Sequence, residues 1–166
     1  MTIISDTSAL SCFAELGALD LLRQMYGTIT ITASVRREAL QAGAPASLQE
    51  FIAHPPAWLV TVADAQPCLQ ETSALDPGEA SAITLAWQHR ESSLLIMDEK
   101  RGRRVSAALG LRITGAAGVL TDAAAAGLID FEAIFQRLAL TKFRLADKWV
   151  EILRQRHLAR VVPPAM

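Results

Sequence analysis

The feature that most constrains this 166-residue chain is an alternation of short β-branched or apolar runs with longer stretches of helical spacing. Thr2–Ser5 is the first run and ends at Asp6-Thr7-Ser8. Residues from about Ala9 to Met25 follow as a helix, with Leu10, Phe13, Leu16 and Leu19 at helical intervals and Gly27 as the stop. Thr28–Thr32 reads as a second strand, and Ser34 as the cap of a helix running to about Gln41. A helix near Ala46–Ala53 precedes a strand at Trp58–Val62, and Leu69–Ala74 reads as a loop. Asp76-Pro77-Gly78-Glu79 opens a helix through about Arg90. Leu94–Met97 is too short for a helix and reads as a buried strand. A helix at Lys100–Leu109, a strand at Leu111–Thr114 and a helix at Ala117–Ala126 follow. Helices at about Asp130–Leu140 and Leu145–His157 close the pattern.

Parallel strands need helical crossovers, so this alternation predicts an α/β fold with a mainly parallel sheet covered on both faces. The expected organisation is a single domain over 1–160, with a frayed tail over 161–166. Composition agrees: 51% hydrophobic residues supply one core, and a net charge of -1 gives no bulk field for capturing nucleic acid. Cys12 and Cys68 form no C-x-x-C pattern, and His54, His89 and His157 form no metal motif. The start, Met1-Thr2-Ile3-Ile4-Ser5-Asp6, has no basic n-region, and no apolar run nears the roughly 20 residues of a membrane span. A soluble cytoplasmic protein with no membrane partner is expected.

Ligands of such sheets collect beyond the carboxyl ends of the strands, where this chain places acids. Asp6 follows the first strand and Asp98 the Leu94–Met97 strand; each also suits a helix N-cap. Glu79 fits the third position of a capping box, yet shares a helix face with Ala82, Ile83 and Ala86. Glu38 lies between Val35 and Ala42 on the apolar stripe of its helix, unless it reaches out to solvent. Four acids on one rim repel each other unless a cation joins them. With oxygen donors alone that cation is hard, Mg²⁺ or Mn²⁺, and the matching chemistry is hydrolysis of a phosphodiester. Thr7 and Ser8 stand where hydroxyls reach a substrate phosphate, or simply cap the first helical turn. Lys100, Arg101, Arg103 and Arg104 form one basic cluster that either grips phosphates or faces solvent.

In these residues the chain resembles the PIN-domain superfamily of metal-dependent ribonucleases, and within it a VapC-like prokaryotic family labelled as a domain of unknown function. The resemblance rests on Ile4-Ser5-Asp6-Thr7-Ser8, Val35-Arg36-Arg37-Glu38, Leu75-Asp76-Pro77-Gly78-Glu79-Ala80 and Asp98-Glu99-Lys100-Arg101-Gly102-Arg103, in that order. It continues through Gly110-Leu111-Arg112-Ile113-Thr114-Gly115 and Gly118-Val119-Leu120 to Ala126-Gly127-Leu128-Ile129. It implies a three-layer α/β/α fold, a Mg²⁺ or Mn²⁺ site at Asp6, Glu38, Glu79 and Asp98, and RNA as substrate. It further implies a small antitoxin partner and a homodimer. Lys100 and Arg103, with Thr7 and Ser8, are the candidate substrate contacts. Two positions depart from the pattern: Glu79 stands where many PIN nucleases have Asp, and Ala116 where close relatives often have Thr. An inert RNA- or protein-binding module is the alternative expectation. A phosphatase is a weaker third, because the first strand carries no Asp-x-Asp.

Overall fold

The structure, a computed structural model, describes residues 1–161. The chain divides into two compact units, Met1–Gly115 and the residues from Ala116 onward. The first unit holds one five-stranded sheet, all parallel, in the order β3-β2-β1-β4-β5. Its strands are β1 (Thr2–Ser5), β2 (Ile29–Thr32), β3 (Leu59–Val62), β4 (Ser93–Ile96) and β5 (Ile113–Thr114). Between them lie α1 (Thr7–Glu15), α2 (Leu19–Tyr26), α3 (Ala33–Ala39), α4 (Ala46–Ala53), α5 (Pro77–Gln88) and α6 (Lys100–Ala108). With right-handed crossovers, the rule for parallel units, the helices between β1, β2 and β3 cover one face and α5 and α6 the other. This is the expected three-layer α/β/α order.

The central strands carry the core of this unit. Ile3, Ile4, Ile29, Ile31, Leu95 and Ile96 are all buried; β1 and β4 carry contiguous apolar pairs, while β2 alternates Ile with Thr. Against them α1 buries Leu10 and Phe13, and α5 buries Ala82, Ile83 and Ala86.

The sequence expectations hold for every strand, with bounds shifted by one or two residues, and several helices differ, the last running to Val161 rather than about His157. The single helix expected over 9–25 is two, α1 and α2. Gly17, at φ 61°, takes the left-handed conformation after Leu16. Its N–H donates to the Ala14 carbonyl at 3.0 Å, and the Ala18 N–H to that of Phe13 at 2.8 Å. This pair of bonds closes a helix and cannot continue one. The cap of α3 is Thr32 rather than Ser34, its hydroxyl accepting from the Val35 N–H at 3.2 Å. Ala42 lies past the end of α3 and is exposed, so Glu38 sits beside Val35 and Ala39 alone. The expected loop at 69–74 contains a 3-10 turn, Gln70–Thr72.

The second unit consists of α7 (Ala116–Ala125), α8 (Phe131–Ala139) and α9 (Asp147–Val161). Asp130 caps α8 by accepting from the Ala133 N–H at 2.7 Å. Phe131, Ile134, Phe135 and Leu138 then form its buried stripe, with Phe131 and Phe135 stacked at 4.3 Å. Asp122 of α7 takes ion pairs from Arg156 and Arg160 of α9. The frayed tail expected over 161–166 begins with a helical Val161, and 162–166 lie outside the described residues. Among the described residues no helix is long and apolar enough to cross a membrane.

Candidate active site

Because every strand of the sheet is parallel, all C-terminal ends share one rim. The chain moves outward from β1 through β2 to β3, then returns to β4 on the other side of β1. The rim between β1 and β4 is therefore the topological switch point, where doubly wound sheets hold their ligands. Asp6 and Asp98 flank it. Ser5 pairs with Ile96 in the ladder, and the Asp6 N–H donates to the Ile96 carbonyl at 3.1 Å.

Asp6 is only 1% exposed. Its Oδ1 accepts from the Ala9 N–H at 2.9 Å and its Oδ2 from the Ser8 hydroxyl at 2.6 Å. The residue thus caps α1 and faces the rim together; the two readings of it coexist. Ser8 Oγ in turn accepts the Asp98 N–H at 3.3 Å, tying the ends of β1 and β4 through one hydroxyl. Burial pushes the Asp6 carboxyl from 3.8 up to about 7, and the charges of Asp98 and Glu79 push the same way. The bonds from Ser8 and Ala9 oppose that rise without cancelling it.

Asp98, half-buried, does not cap α6. Glu99 does, accepting from the Arg101 N–H at 3.3 Å.

Glu38 projects from the last turn of α3 onto the start of α5. Its Oε1 accepts from the Gly78 N–H at 2.7 Å and its Oε2 from the Thr7 hydroxyl at 2.9 Å. Arg37, its neighbour, turns instead to Ser34 and Asp64. Glu79 is 9% exposed. Its Oε2 accepts from the Asp76 N–H at 3.3 Å, the reach-back of the expected capping box. Its Oε1 is buried and has no hydrogen-bond partner. Burial raises the Glu79 carboxyl, with Glu99, Asp76 and Glu38 adding to the rise and the Asp76 bond opposing it.

Three glycines let these carboxylates approach the backbone. A Cβ on Gly78 would land on the Glu38 carboxylate, and one on Gly102 would lie 3.3 Å from Glu79 Oε1. A Cβ on Gly115 would stand 2.5 Å from Asp98 Oδ1 and 3.2 Å from Arg103 Nη1. Arg103 therefore stands beside Asp98, anchored by a 2.8 Å bond to the Met97 carbonyl. Lys100 is exposed on the first turn of α6.

The structure thus brings Asp98 and Glu79 within electrostatic reach of Asp6, and Glu38 within reach of Glu79 across the start of α5. Thr7 and Ser8 both bond to carboxylates. Among the described residues, however, no three His, Cys, Asp or Glu side chains are gathered closely enough to enclose a metal ion. Hydrogen bonds to neighbouring residues hold Asp6 and Glu38 and one oxygen of Glu79 apart. The donor set is all oxygen and one of those oxygens is buried without a donor, so the residues fit a hard cation in kind. One further acid at a strand end, Asp64, escaped the sequence reading although it follows Trp58–Val62 by two residues. It accepts from the Ser34 N–H at 2.9 Å and hydroxyl at 2.8 Å, and so holds the start of α3.

A family model described as a PIN domain matches residues 2–157. No curated protein and no solved structure matches the chain.

Proposed function

The chain belongs to the PIN-domain family, and from that premise we propose that it is a metal-dependent endoribonuclease, the toxin of a toxin–antitoxin pair. Residues 1–160 act as one PIN-like domain, and RNA phosphodiester bonds are the substrate. A small antitoxin covers the site, and the toxin works as a homodimer in the cytoplasm. The observation that carries the reading is Glu79 Oε1, a buried carboxylate oxygen without a donor, within electrostatic reach of a second carboxyl, Asp6, that burial pushes up to about 7. Such an oxygen costs free energy until a cation meets it.

Asp6, Glu38, Glu79 and Asp98 are the residues that would hold a Mg²⁺ or Mn²⁺ ion, directly or through water. When bound, such an ion activates water for in-line attack and neutralises phosphoryl oxygens. Asp6 gives up its proton to hold a cation, so affinity rises with pH through the range near 7. Thr7 holds Glu38 on the rim, and Ser8 keeps Asp6 and the backbone of Asp98 at fixed separation. Lys100 and Arg103, flanking the acids, take phosphate oxygens on either side of the scissile bond.

RNA cleavage with Mg²⁺ or Mn²⁺ tests this, wild type against Asp6→Asn and Asp98→Asn. Loss of cleavage in both variants is expected, and equal cleavage by all three proteins rejects the assigned roles. The hydrogen bonds that already satisfy Asp6 and Glu38 favour a second reading, a PIN-like module that binds RNA or protein without turnover. Calorimetry separates the two, since no Mn²⁺ binding at millimolar concentration belongs to the inert module.

A further inference from the structure

The four basic residues after Asp98 are contiguous in sequence, but α6 divides them. Gly102 and Ser106 turn inward, Gly102 directly over Glu79 Oε1. Arg103 lies on one flank, beside Asp98. Arg101 and Arg104, three residues apart, lie on the other flank with Val105. There they line an open cleft of about 310 Å³ between α6 and the 3-10 turn, with Leu75 and Glu71 on the opposite wall.

Three properties of this cleft point outward. First, its cations are uncommitted: among the described residues no carboxylate pairs with the guanidinium of Arg101 or Arg104. Second, its walls carry apolar surface, the half-buried Leu75 on one side and Val105 on the other offering contact to a flat ring. Third, it contains one acid, Glu71, which is exposed and forms no ion pair with either arginine.

We propose that this cleft is a subsite for single-stranded RNA, in which Arg101 and Arg104 hold backbone phosphates and Glu71 reads a guanine. The proposal rests on the reading of RNA as the substrate. Guanidinium groups match phosphate oxygens in geometry and stack on a base from above. A splayed base then lies against Leu75 and Val105 with its Watson–Crick edge toward Glu71. A carboxylate only accepts hydrogen bonds, and among the four RNA bases guanine alone presents two adjacent N–H donors on that edge. Adenine and cytosine offer an amine beside a bare ring nitrogen that a carboxylate repels, and uracil one N–H between two carbonyls. Gly102 faces Met97 Sδ and Glu79 Oε1, so the cleft lies across α6 from these groups, on the opposite flank from Arg103.

The experiment measures binding of short labelled single-stranded RNAs, guanine-containing and all-adenine, by fluorescence anisotropy in chelator, where no turnover occurs. The proteins are wild type, the Arg101→Ala/Arg104→Ala double variant and Glu71→Ala. All three sites are on the surface, so equal thermal midpoints are expected and serve as the control for folding. The double variant should lose about tenfold or more in affinity for both RNAs. Its log–log salt slope should fall by about 1.4, two phosphate contacts at about 0.7 each on single strands. Glu71→Ala should keep its affinity for all-adenine RNA and lose a guanine preference of about tenfold. An unchanged salt slope in the double variant overturns the subsite, and an unchanged guanine preference in Glu71→Ala overturns the role of that residue. The nuclease reading fails separately: these binding results standing beside no cleavage with Mg²⁺ or Mn²⁺ would sink turnover and keep the cleft. Wild-type cleavage with a double variant that binds normally would do the reverse.

Discussion

Replacing Asp6 by Asn should make the metal-free protein more stable at pH 8 and by a much smaller margin at pH 4.5. The side chain is 1% exposed, and burial, with Asp98 and Glu79 nearby, moves its carboxyl from 3.8 to about 7. In the unfolded chain the same group titrates near its ordinary value. Between those values the native state binds more protons than the unfolded state, so stability falls as pH rises through that window. Below about pH 3 both states are protonated and there is no penalty; at pH 4.5 it is about 1 kcal/mol. Above about pH 8 the native carboxylate is ionised, and the whole penalty, about 4 kcal/mol, applies. Asparagine removes the charge and keeps the shape. Its carbonyl still accepts from the Ala9 N–H, and its amide donates to Ser8 Oγ, which costs some of the gain by displacing the hydroxyl proton. A net gain of about 2–4 kcal/mol at pH 8 follows, or roughly 4–16 °C in melting temperature for a chain of this size. Chemical denaturation in chelator at pH 4.5, 6 and 8 measures it. A wild-type-to-variant gap that is the same at all three pH values, or a less stable variant at pH 8, would refute the electrostatic account of Asp6.

Mn²⁺ should stabilise wild type far more than Asp6→Asn. At about a hundred times its dissociation constant it adds about 2.7 kcal/mol to wild type and far less to Asp6→Asn, and equal gains by calorimetric melting would remove Asp6 from the site. Gly78→Ala places a Cβ on the Glu38 carboxylate, so it should expel that side chain from the start of α5, abolish RNA cleavage and cost about 1–3 kcal/mol. Retained activity in the Gly78→Ala protein would count against Glu38. Gly17→Ala forces a Cβ into the left-handed conformation between α1 and α2 and should cost about 1–2 kcal/mol in urea denaturation with cleavage intact. A neutral Gly17→Ala would mean that the turn relaxes.

The sheet was legible because its strands are short apolar runs bounded by breakers, and nothing else of that length and composition fits between helices. Thr2–Ser5 and the run ending at Met97 therefore placed Asp6 and Asp98 on one rim before any coordinates. The helix ends were less legible. Gly17 sits within an unbroken apolar periodicity from Leu10 to Leu22, and periodicity alone does not separate a tolerated glycine from one that reverses the chain. Ser34 and Thr32 are both sound caps, and the choice depended on Asp64, thirty residues away in sequence, which takes both the Ser34 hydroxyl and its N–H. Caps also decided between the readings of the acids. The sequence offers Asp98 as the cap of α6, and the backbone gives that place to Glu99 instead. The basic cluster was read as one patch; helical twist sends Arg103 to Asp98 and Arg101 with Arg104 to a separate cleft.

Asp6 and Asp98 are carried by neighbouring strands bonded along their whole length, whereas Glu38 and Glu79 ride on α3 and α5. Strands about 4.7–4.9 Å apart cannot move relative to each other without breaking a ladder. Helices slide past their packing partners at far lower cost. Any accommodation of a larger or smaller guest at the rim thus falls to the glutamates, one fixed jaw working against one adjustable one.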